Sequence, residues 1–263
     1  MAIPIIDSAK VIEQQYRTGE KPVLVMCSNM TAYVCKYMRT SSAAYKLVCE
    51  LMGALMAKAW QLDTPEISLV RIKPEHWSGL SLQHSLSAPA LGSLKLEGVV
   101  DITPSTFGEV EQTTALFRQL LEIALFDFWV ANEDRNGNNA NLLYDVVHGT
   151  LVPIDYGCIF NTATFEYPMS QLTLTDTILS SDLFRHLSHS VNGVNQMLDV
   201  LQQSYTKNLK RCFRLRTQAV AELPKEWNVP ANVVSEKVDQ LFDKTWIANV
   251  WDNFMECLTE NLK

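Results

Sequence analysis

The side chains best suited to chemistry lie in one stretch of the chain, from Phe126 to Cys158. Asp134 is followed five residues later by Asn139, and Asp155 stands after an apolar segment in an Asp-Tyr-Gly triplet. Phosphoryl transfer from a nucleotide uses such a set, because one carboxylate orients the attacking hydroxyl while an amide and a second carboxylate hold Mg²⁺ on the phosphates. The alternative is a polar loop in which Asp, Asn and Gly supply only turn geometry. The complete ordered set favours chemistry, with Asp134 as catalytic base and Asn139 and Asp155 as metal ligands.

The elements around these residues would bring them into one cleft. Leu142–Val146 and Leu151–Ile154 are short apolar runs with the composition of strands, and they predict a hairpin between the two ends of the set. Thr113–Ala131 precedes Asp134 and has the apolar periodicity of an amphipathic helix. A helix, a polar loop and a hairpin are therefore expected to position the reactive groups.

The same stretch resembles a known family. NEDRNGNN, followed by NLLY and then VPIDYG, is similar to the N-x-D-R-H-x-x-N … P-x-x-D core of HipA-like kinases. It is more distantly similar to the D-R-x-x-x-N … D core of phosphoinositide kinases. The resemblance extends more weakly over most of the chain and is greatest to short HipA-like kinase domain proteins. One position departs from the pattern: these families usually have His two places after the catalytic Asp, and this chain has Asn136.

The resemblance implies a two-lobed, protein-kinase-like fold that uses ATP and Mg²⁺ and phosphorylates a Ser or Thr hydroxyl of a protein. It also implies a link to toxin–antitoxin systems, with an antitoxin as a partner. Arg135 joins Asp134 in the catalytic group and would steady the loop or the substrate side. Leu96, Glu97 and Gly98 are expected to bind the nucleotide at the hinge between the lobes.

A cation and a carboxylate that could complete the nucleotide site lie earlier in the chain. Lys36 ends an aromatic and β-branched run on the same face as Val34, where an unpaired charge would be costly. Glu50 lies fourteen residues later, at the rim of an apolar helical stripe. Each residue alone is compatible with a solvated surface position. Together they predict a pair in which Glu50 orients Lys36 on the ATP phosphates.

The remaining pattern predicts an α+β protein with a small mixed lobe, residues 1–98, and a mainly helical lobe, residues 99–263. In the first lobe we expect, in order, a helix, a hairpin, a long helix and a strand: Ile6–Arg17, Pro22–Cys27 with Ala32–Tyr37, Ser42–Leu62 and Glu66–Ile72. Lys73–Pro104 is rich in Pro and Gly, so it is expected to be irregular and to contain the hinge, near Leu96–Asp101. In the second lobe the later helices are expected near Ser180–Ser190, Val194–Glu222 and Val233–Leu258.

Composition excludes several classes of protein. Hydrophobic residues make up 47% of the 263 residues, which is ample for a core, and the net charge of −7 argues against a general nucleic-acid binder. Charges such as Asp127 interrupt the long apolar runs, so no membrane span is expected, and the N-terminus does not look like a secretory signal. The six cysteines show no metal-ligand spacing and are expected to be reduced and mostly buried, in a cytoplasmic protein.

Other groups have structural explanations. His186 and His189 share a helix face without a third ligand, and the basic cluster of residues 207–216 is expected to be a solvated helix face. The remaining large side chains are expected to lie in the core: Trp227, Trp246, Trp251, Met30, Met52 and Met56.

The turn at residues 28–31 contains no glycine, so it is not expected to form a Gly-rich cover for phosphates. The family resemblance makes its hydroxyl residues, and those of the next turn, candidates for regulatory phosphorylation: Ser28, Thr31, Thr40, Ser41 and Ser42. Ordinary turn and helix-capping roles are the alternative.

Two other functions are compatible with these residues. A small-molecule or lipid hydroxyl kinase would use the same constellation. A pseudokinase that binds a partner is suggested by Asn136 and the glycine-free turn, although the complete set of Lys, Glu, Asp, Asn and Asp counts against it.

Overall fold

The computed structural model describes residues 2–12, 14–17, 19–40, 43–77, 88–189 and 194–262. Its N-terminal part is a six-stranded sheet in the order β1-β5-β6-β4-β3-β2, with helix α1 (Ala43–Trp60) between the fourth and fifth strands along the chain. The strands are β1 (Ile5–Asp7), β2 (Gln14–Gln15), β3 (Val23–Met26), β4 (Ala32–Lys36), β5 (Ile67–Arg71) and β6 (Ala90–Leu94).

The predicted hairpin is confirmed, since β3 and β4 pair antiparallel with Val23 opposite Cys35 and Met26 opposite Ala32. The long helix and the strand after it are also confirmed, as α1 and β5. Ser41 and Ser42, which were considered as caps of the helix, lie outside the described residues.

The predicted helix over Ile6–Arg17 is wrong. The segment instead contains β1, which pairs in parallel with β5, and the two-residue strand β2, which pairs with β3. Hydrogen bonds to strands distant in sequence override the local pattern, a tertiary effect that propensity does not register.

The irregular segment predicted at Lys73–Pro104 is wrong in part, because it contains β6 and β7 (Val99–Asp101). Gly92 in β6 gave the segment a loop-like composition. A Cβ atom there would lie 2.7 Å from Cγ2 of Val70, so the glycine leaves room for the Val70 side chain on that face of the sheet. The part of this prediction that falls on residues 78–87 lies outside the described residues.

The C-terminal part begins with a three-stranded antiparallel sheet in the order β7-β8-β9. Strands β8 (Leu142–Asp145) and β9 (Thr150–Pro153) confirm the predicted hairpin. The helices are α2 (Thr114–Val130), α3 (Asp182–Ser188), α4 (Val194–Ala221), α5 (Ala231–Gln240) and α6 (Lys244–Asn261). The α+β prediction is confirmed.

Two of the helix predictions need correction. The single helix expected over Val233–Leu258 is two helices, because the Asp243 carboxylate accepts hydrogen bonds from the backbone N–H groups of Thr245 and Trp246 and so starts α6. Helix α2 is less amphipathic than expected, since its residues from Phe126 to Val130 are all buried.

The largest hydrophobic cluster joins α1, part of the six-stranded sheet and the C-terminal helices, and a second cluster covers the other face of that sheet. Trp227, Met52 and Met56 lie in the core as expected, and Trp246 and Trp251 pack partly buried against it. Met30 does not: it is 79% exposed at the tip of the β3–β4 hairpin, so that prediction is wrong.

The six cysteines are free and five of them are buried, as predicted. His186 bonds to the Gln112 side chain and to the Val110 carbonyl, while four of the basic residues on α4 are exposed, namely Lys207, Lys210, Arg211 and Arg214. Among the described residues, no helix combines the length and apolar character needed to cross a membrane.

Candidate active site

Lys36 lies at the centre of a cluster of charged side chains. Its Nζ contacts Oε1 of Glu50 and lies 2.8 Å from Oδ1 of Asp155 and 3.1 Å from Oε2 of Glu20. The Lys36 side chain is 16% exposed, so these ion pairs are largely shielded from water. The predicted Lys36–Glu50 contact is present, and the cluster adds two carboxylates to it.

The chain positions the three carboxylates in different ways. Glu50 comes from the buried face of α1, not its rim, and its Oε2 accepts a hydrogen bond of 3.0 Å from the Tyr156 backbone N–H. Asp155 lies two residues after the end of β9 in a left-handed conformation, with φ of 60°. Gly53 allows α1 to approach this triplet, because a Cβ atom there would lie 2.3 Å from Cβ of Tyr156.

The charged groups of this cluster shift one another's pKa values. Burial alone would lower the pKa of Lys36, but Glu50, Asp155 and Glu20 together hold that pKa above its ordinary value. Burial alone would raise the pKa of Asp155, but Lys36 and hydrogen bonding hold it below the usual range. Burial raises the pKa of Glu50 to about 8, Asp155 adds to the rise and Lys36 opposes it. Lys36 and Asp155 are therefore both held in their charged forms.

Asp134 lies in the loop between α2 and β8 and is half-buried. Its Oδ2 accepts a hydrogen bond of 3.1 Å from Nδ2 of Asn141, and the same amide group lies 3.2 Å from the Asp134 backbone carbonyl. The Asp134 N–H in turn donates to Oδ1 of Asn132, at 3.3 Å. These bonds hold the candidate base in one orientation.

The amide beside Asp134 is therefore that of Asn141, not that of Asn139. Asn139 is exposed, and its backbone exchanges hydrogen bonds with the backbone of Asn136 in a tight turn. Asn141 immediately precedes β8 with φ of 45°. The spacing of five residues from Asp134 pointed to Asn139; the position directly before the strand is the signal that identifies Asn141.

Arg135 is fully buried and braces the loop. Its guanidinium contacts Oδ1 of Asp127 at the end of α2 and donates to the carbonyls of Asn141 and Ile154, at 3.4 Å and 2.7 Å. The guanidinium also lies over the Tyr156 ring, with Cζ 5.3 Å from the ring centroid. Of the two roles considered for Arg135, steadying the loop fits this geometry, because a fully buried guanidinium does not face a substrate.

Asn136, at the position where the family pattern has His, bonds within the loop. Its Nδ2 donates to the Glu133 carbonyl and its Oδ1 accepts from the Asn138 N–H, both at 3.0 Å. The residue therefore holds the turn that follows Asp134.

The loop is also tied to the segment after the Asp-Tyr-Gly triplet. Residues 160–163 all have positive φ and form one left-handed turn within the short element Ile159–Ala163. Glu133, directly before Asp134, accepts hydrogen bonds from Nδ2 of Asn161 at 2.9 Å and from the Thr162 hydroxyl at 2.6 Å. A left-handed turn of non-glycine residues is costly, and these bonds help to hold it in place.

Cys158 follows the Asp-Tyr-Gly triplet, and its thiol is affected by charged groups from several parts of the chain. Burial raises the pKa of its thiol to about 11, the carboxylates of Asp134, Asp155 and Glu20 add to the rise, and Lys46 opposes it. These four residues come from four parts of the chain. Asp134 is in the loop between α2 and β8, Asp155 follows β9, Glu20 is in the β2–β3 loop and Lys46 is on α1. Charges of the candidate base and of the lysine cluster thus both affect the pKa of Cys158.

A model of the HipA-like kinase family matches residues 9–254 of the chain. The chain belongs to the HipA-like kinase family. The family is one of phosphotransferases, and the predicted two-lobed, kinase-like fold agrees with it.

Other comparisons add little to this assignment. The solved structures "Complete CtTel1 dimer with C2 symmetry" and "Structure of the open conformation of CtTel1" match with TM-scores of 0.34 and 0.33 and identities of 14% and 13%. Each match covers 95% of this chain but only 12% of the solved chain. No curated protein matches.

In this HipA-like kinase, Leu96, Glu97 and Gly98 form the connection between β6 and β7, and so between the two sheets. Glu97 is 85% exposed and pairs with Lys95, and Gly98 has φ of 70°. Because Lys36 is opposite Leu91 in the sheet, the connection starts about five residues further along β6, roughly 16 Å away at the usual strand rise. A small cavity beside Glu50 is lined by residues of α1, β6 and the triplet that include Ala54, Ser93 and Asp155.

Three residues of the site were missed from sequence. Glu20 comes from a loop whose approach to Lys36 depends on β2 pairing, which the helix prediction excluded. Asp127 was interpreted only as a charge that interrupts an apolar helix, although a buried charge in such a helix is itself a sign of a partner. Asn141 was overlooked because Asn139 satisfied the expected spacing.

Proposed function

We propose that this HipA-like kinase transfers the γ-phosphate of ATP, with Mg²⁺, to a Ser or Thr hydroxyl of a protein. The observation that carries the proposal is the contact of Lys36 with both Glu50 and Asp155. It joins a strand, a helix and the segment after the hairpin at the point where nucleotide phosphates are held in kinases.

Each residue of the cleft has a role in this proposal. Lys36 holds the phosphates, Glu50 orients Lys36, and Asp155 and Asn141 supply oxygen ligands to Mg²⁺. Magnesium suits such a site because it takes few protein ligands and completes its shell with phosphates and water. Asn141 donates through Nδ2 to Asp134, so its amide oxygen is the atom that would face the ion. When bound, the ion neutralises charge that develops on the transferred phosphoryl group.

Asp134 acts on the acceptor hydroxyl. Its Oδ2 is engaged by Asn141, so the hydroxyl would meet Oδ1 and pass its proton there as the oxygen–phosphorus bond forms and the γ-phosphorus separates from the oxygen that leaves with ADP. The phosphates would lie at Lys36, and the strand register places the connection of Leu96, Glu97 and Gly98 about the length of β6 away. The nucleotide base would therefore extend towards that connection.

The protein substrate follows from family resemblance. A small-molecule or lipid hydroxyl would suit the same residues, whereas a pseudokinase is disfavoured because the phosphate-binding lysine and both carboxylates meet in one cluster. Incubation of the purified chain with Mg²⁺ and γ-labelled ATP, with and without cell extract, separates these functions. Label in a protein band supports the proposal; label only in small molecules or lipids favours the second function, and none at all favours the pseudokinase.

Mg·ATP is expected to raise the melting temperature, and EDTA to remove most of the rise, because Asp155 and Asn141 contact the nucleotide only through the ion.

Asp134→Asn is expected to bind Mg·ATP within a few-fold of wild type and to lose about a hundredfold or more in transfer rate, the usual scale for a positioned base. Full activity in Asp134→Asn would remove the loop from the mechanism.

Asn141→Ala and Asn139→Ala form a matched pair within one loop. Asn141→Ala is expected to reduce both the Mg²⁺-dependent rise in melting temperature and the transfer rate, whereas Asn139→Ala is expected to change both by less than about twofold, as for an exposed surface residue. The reverse ranking would restore Asn139 as the metal ligand.

A further inference from the structure

The β2–β3 loop places a carboxylate against the lysine that is proposed to hold phosphates. Glu20 bridges two cations: its Oε2 lies 3.1 Å from Nζ of Lys36, and its Oε1 lies 3.5 Å from Nζ of Lys46. Lys46 is on α1, four residues before Glu50, and therefore on the same side of the helix. Glu20 thus joins the strand lysine to a helix lysine to which the proposed mechanism assigns no role.

The three carboxylates around Lys36 are not equally fixed. Glu50 is held by the Tyr156 N–H at 3.0 Å, and Asp155 by the Gly157 N–H at 3.4 Å. Glu20 lies in a loop beside the two-residue strand β2, and its side chain is 30% exposed, against 34% for Asp155 and 7% for Glu50. Within the part of the chain that the structure describes, the Glu20 carboxylate is held by its ion pairs with Lys36 and Lys46 and not by a backbone N–H. Glu20 is therefore the carboxylate that can leave at the smallest structural cost.

A polyphosphate and Glu20 would compete for the same cations. Glu20 contacts both lysines of the cluster, and Lys36 also contacts Glu50 and Asp155. Phosphate oxygens on Lys36 would stand beside the Glu20 carboxylate, and like charges at such distances repel. Removing Glu20 would relieve the repulsion and leave Lys46 free to contact the incoming phosphates.

We propose that Glu20 occupies the phosphate subsite in the nucleotide-free protein, and that nucleotide binding displaces it so that Lys46 becomes a second phosphate-binding cation. This inference rests on the proposed function. Glu20 then acts as a gate that favours ligands with several negative charges, because only such ligands gain enough from Lys36 and Lys46 to replace it. Nucleosides carry no phosphate, so their binding affinity would depend on neither Glu20 nor Lys46.

The test compares affinities for Mg·ATP, Mg·ADP and adenosine by calorimetry. Glu20→Gln keeps the shape of the side chain and removes its charge, so it is expected to tighten Mg·ATP binding about three- to tenfold. Lys46→Met is expected to weaken Mg·ATP binding by a similar factor, and adenosine affinity should change by less than about twofold in both variants.

The control pair has its lysine on the same helix and forms the same kind of ion pair. Lys58 has a side-chain exposure of 45%, equal to that of Lys46, and it pairs with Glu66 outside the charged cluster. Lys58→Met and Glu66→Gln should leave affinity for all three ligands unchanged. If Lys46→Met behaves like Lys58→Met, Lys46 is not a phosphate ligand.

The double variant separates two roles for Lys46. If Lys46 binds phosphate, Lys46→Met should still weaken Mg·ATP binding when Glu20 is already Gln; if it only holds Glu20, that effect should vanish. Unchanged or weaker Mg·ATP binding in Glu20→Gln overturns the gate while the proposed function stands. Failure of both wild type and Glu20→Gln to bind any nucleotide overturns the proposed function and the gate together.

Discussion

In the loop between α2 and β8, the amide that bonds to the candidate base lies two residues after the one predicted from sequence. Asn139 has the spacing expected of a metal ligand but is exposed, whereas Asn141 bonds to Asp134. Spacing along the sequence does not give distance in the structure. Here Asn136 and Asn139 close a tight turn, and Asn141 follows that turn. At the residue scale, Asn141 is therefore the amide that bonds to Asp134, and Asn139 as a metal ligand stays a prediction.

Lys237 on α5 is a second residue whose environment is unusual, since its side chain is buried and its Nζ donates to the Tyr167 carbonyl at 2.6 Å. Burial lowers the pKa of this lysine. We expect Lys237→Met to stabilise the protein by about 1–2 kcal/mol at pH 7, because an apolar side chain of similar length removes the cost of a buried charge. The exposed Tyr167 can bond to water instead.

The gain should depend on pH in a defined direction. A buried lysine with a lowered pKa reduces the free energy of unfolding, and the reduction is greatest at a pH where the lysine is charged in the folded state. The reduction becomes smaller as pH rises from the pKa in the folded state towards the unfolded value of about 10.4. Denaturant unfolding at pH 7 and pH 9.5 should therefore show a smaller difference between variant and wild type at the higher pH. Exposed Lys244→Met is the control, and an equal or larger gain there would contradict the explanation.

At the scale of elements, the site depends on how closely α1 approaches the Asp-Tyr-Gly triplet. The approach brings Glu50 to the Tyr156 N–H and, through it, orders the segment that carries Asp155. Gly53 is the residue that makes the distance possible. Its place in the middle of a helix is otherwise unfavourable, by roughly 1 kcal/mol relative to Ala.

Gly53→Ala is expected to destabilise the protein even though alanine is the better helix former. The new Cβ would lie 2.3 Å from Cβ of Tyr156, and overpacking of a buried contact costs about 1–3 kcal/mol, which exceeds the gain in helix propensity. The melting temperature and the affinity for Mg·ATP should both fall. Gly108→Ala, with no atom within 4 Å of the new Cβ, should change neither, and a neutral Gly53→Ala would show that α1 can move away freely.

At the scale of the whole molecule, the two sheets are linked by residues 95–98 but share one core. The largest hydrophobic cluster contains Leu69 and Leu91 of the first sheet, α1 and the C-terminal helices. Two hydrogen bonds also cross between these parts: the Ile3 N–H donates to the Glu222 carboxylate at 3.0 Å, and the Trp227 indole N–H donates to the Pro89 carbonyl at 2.8 Å.

This shared core predicts a single unfolding transition. Because α1 packs on both parts, neither can keep its core when the other unfolds, so the calorimetric and van't Hoff enthalpies should agree. Far-ultraviolet circular dichroism and tryptophan fluorescence should give the same midpoint, and Mg·ATP should move that midpoint without splitting it. Two resolved transitions would mean that the sheets unfold separately.

The sequence by itself determined the parts of this protein whose causes are local. The hairpins and α1 follow from side-chain alternation, helical periodicity and turn residues close along the chain. The ordered acidic loop and the triplet also marked the family, because those residues are contiguous and their chemistry is specific.

Only the tertiary structure decided what depends on pairing between distant segments. Strand β1 forms because β5 offers it a partner, and β6 forms between β4 and β5 despite its glycine. The approach of Asp155 and of Glu20 to Lys36 depends on contacts between separate elements. Such contacts are set by burial and by hydrogen bonding between elements, and neither is encoded in the spacing of residues along one segment.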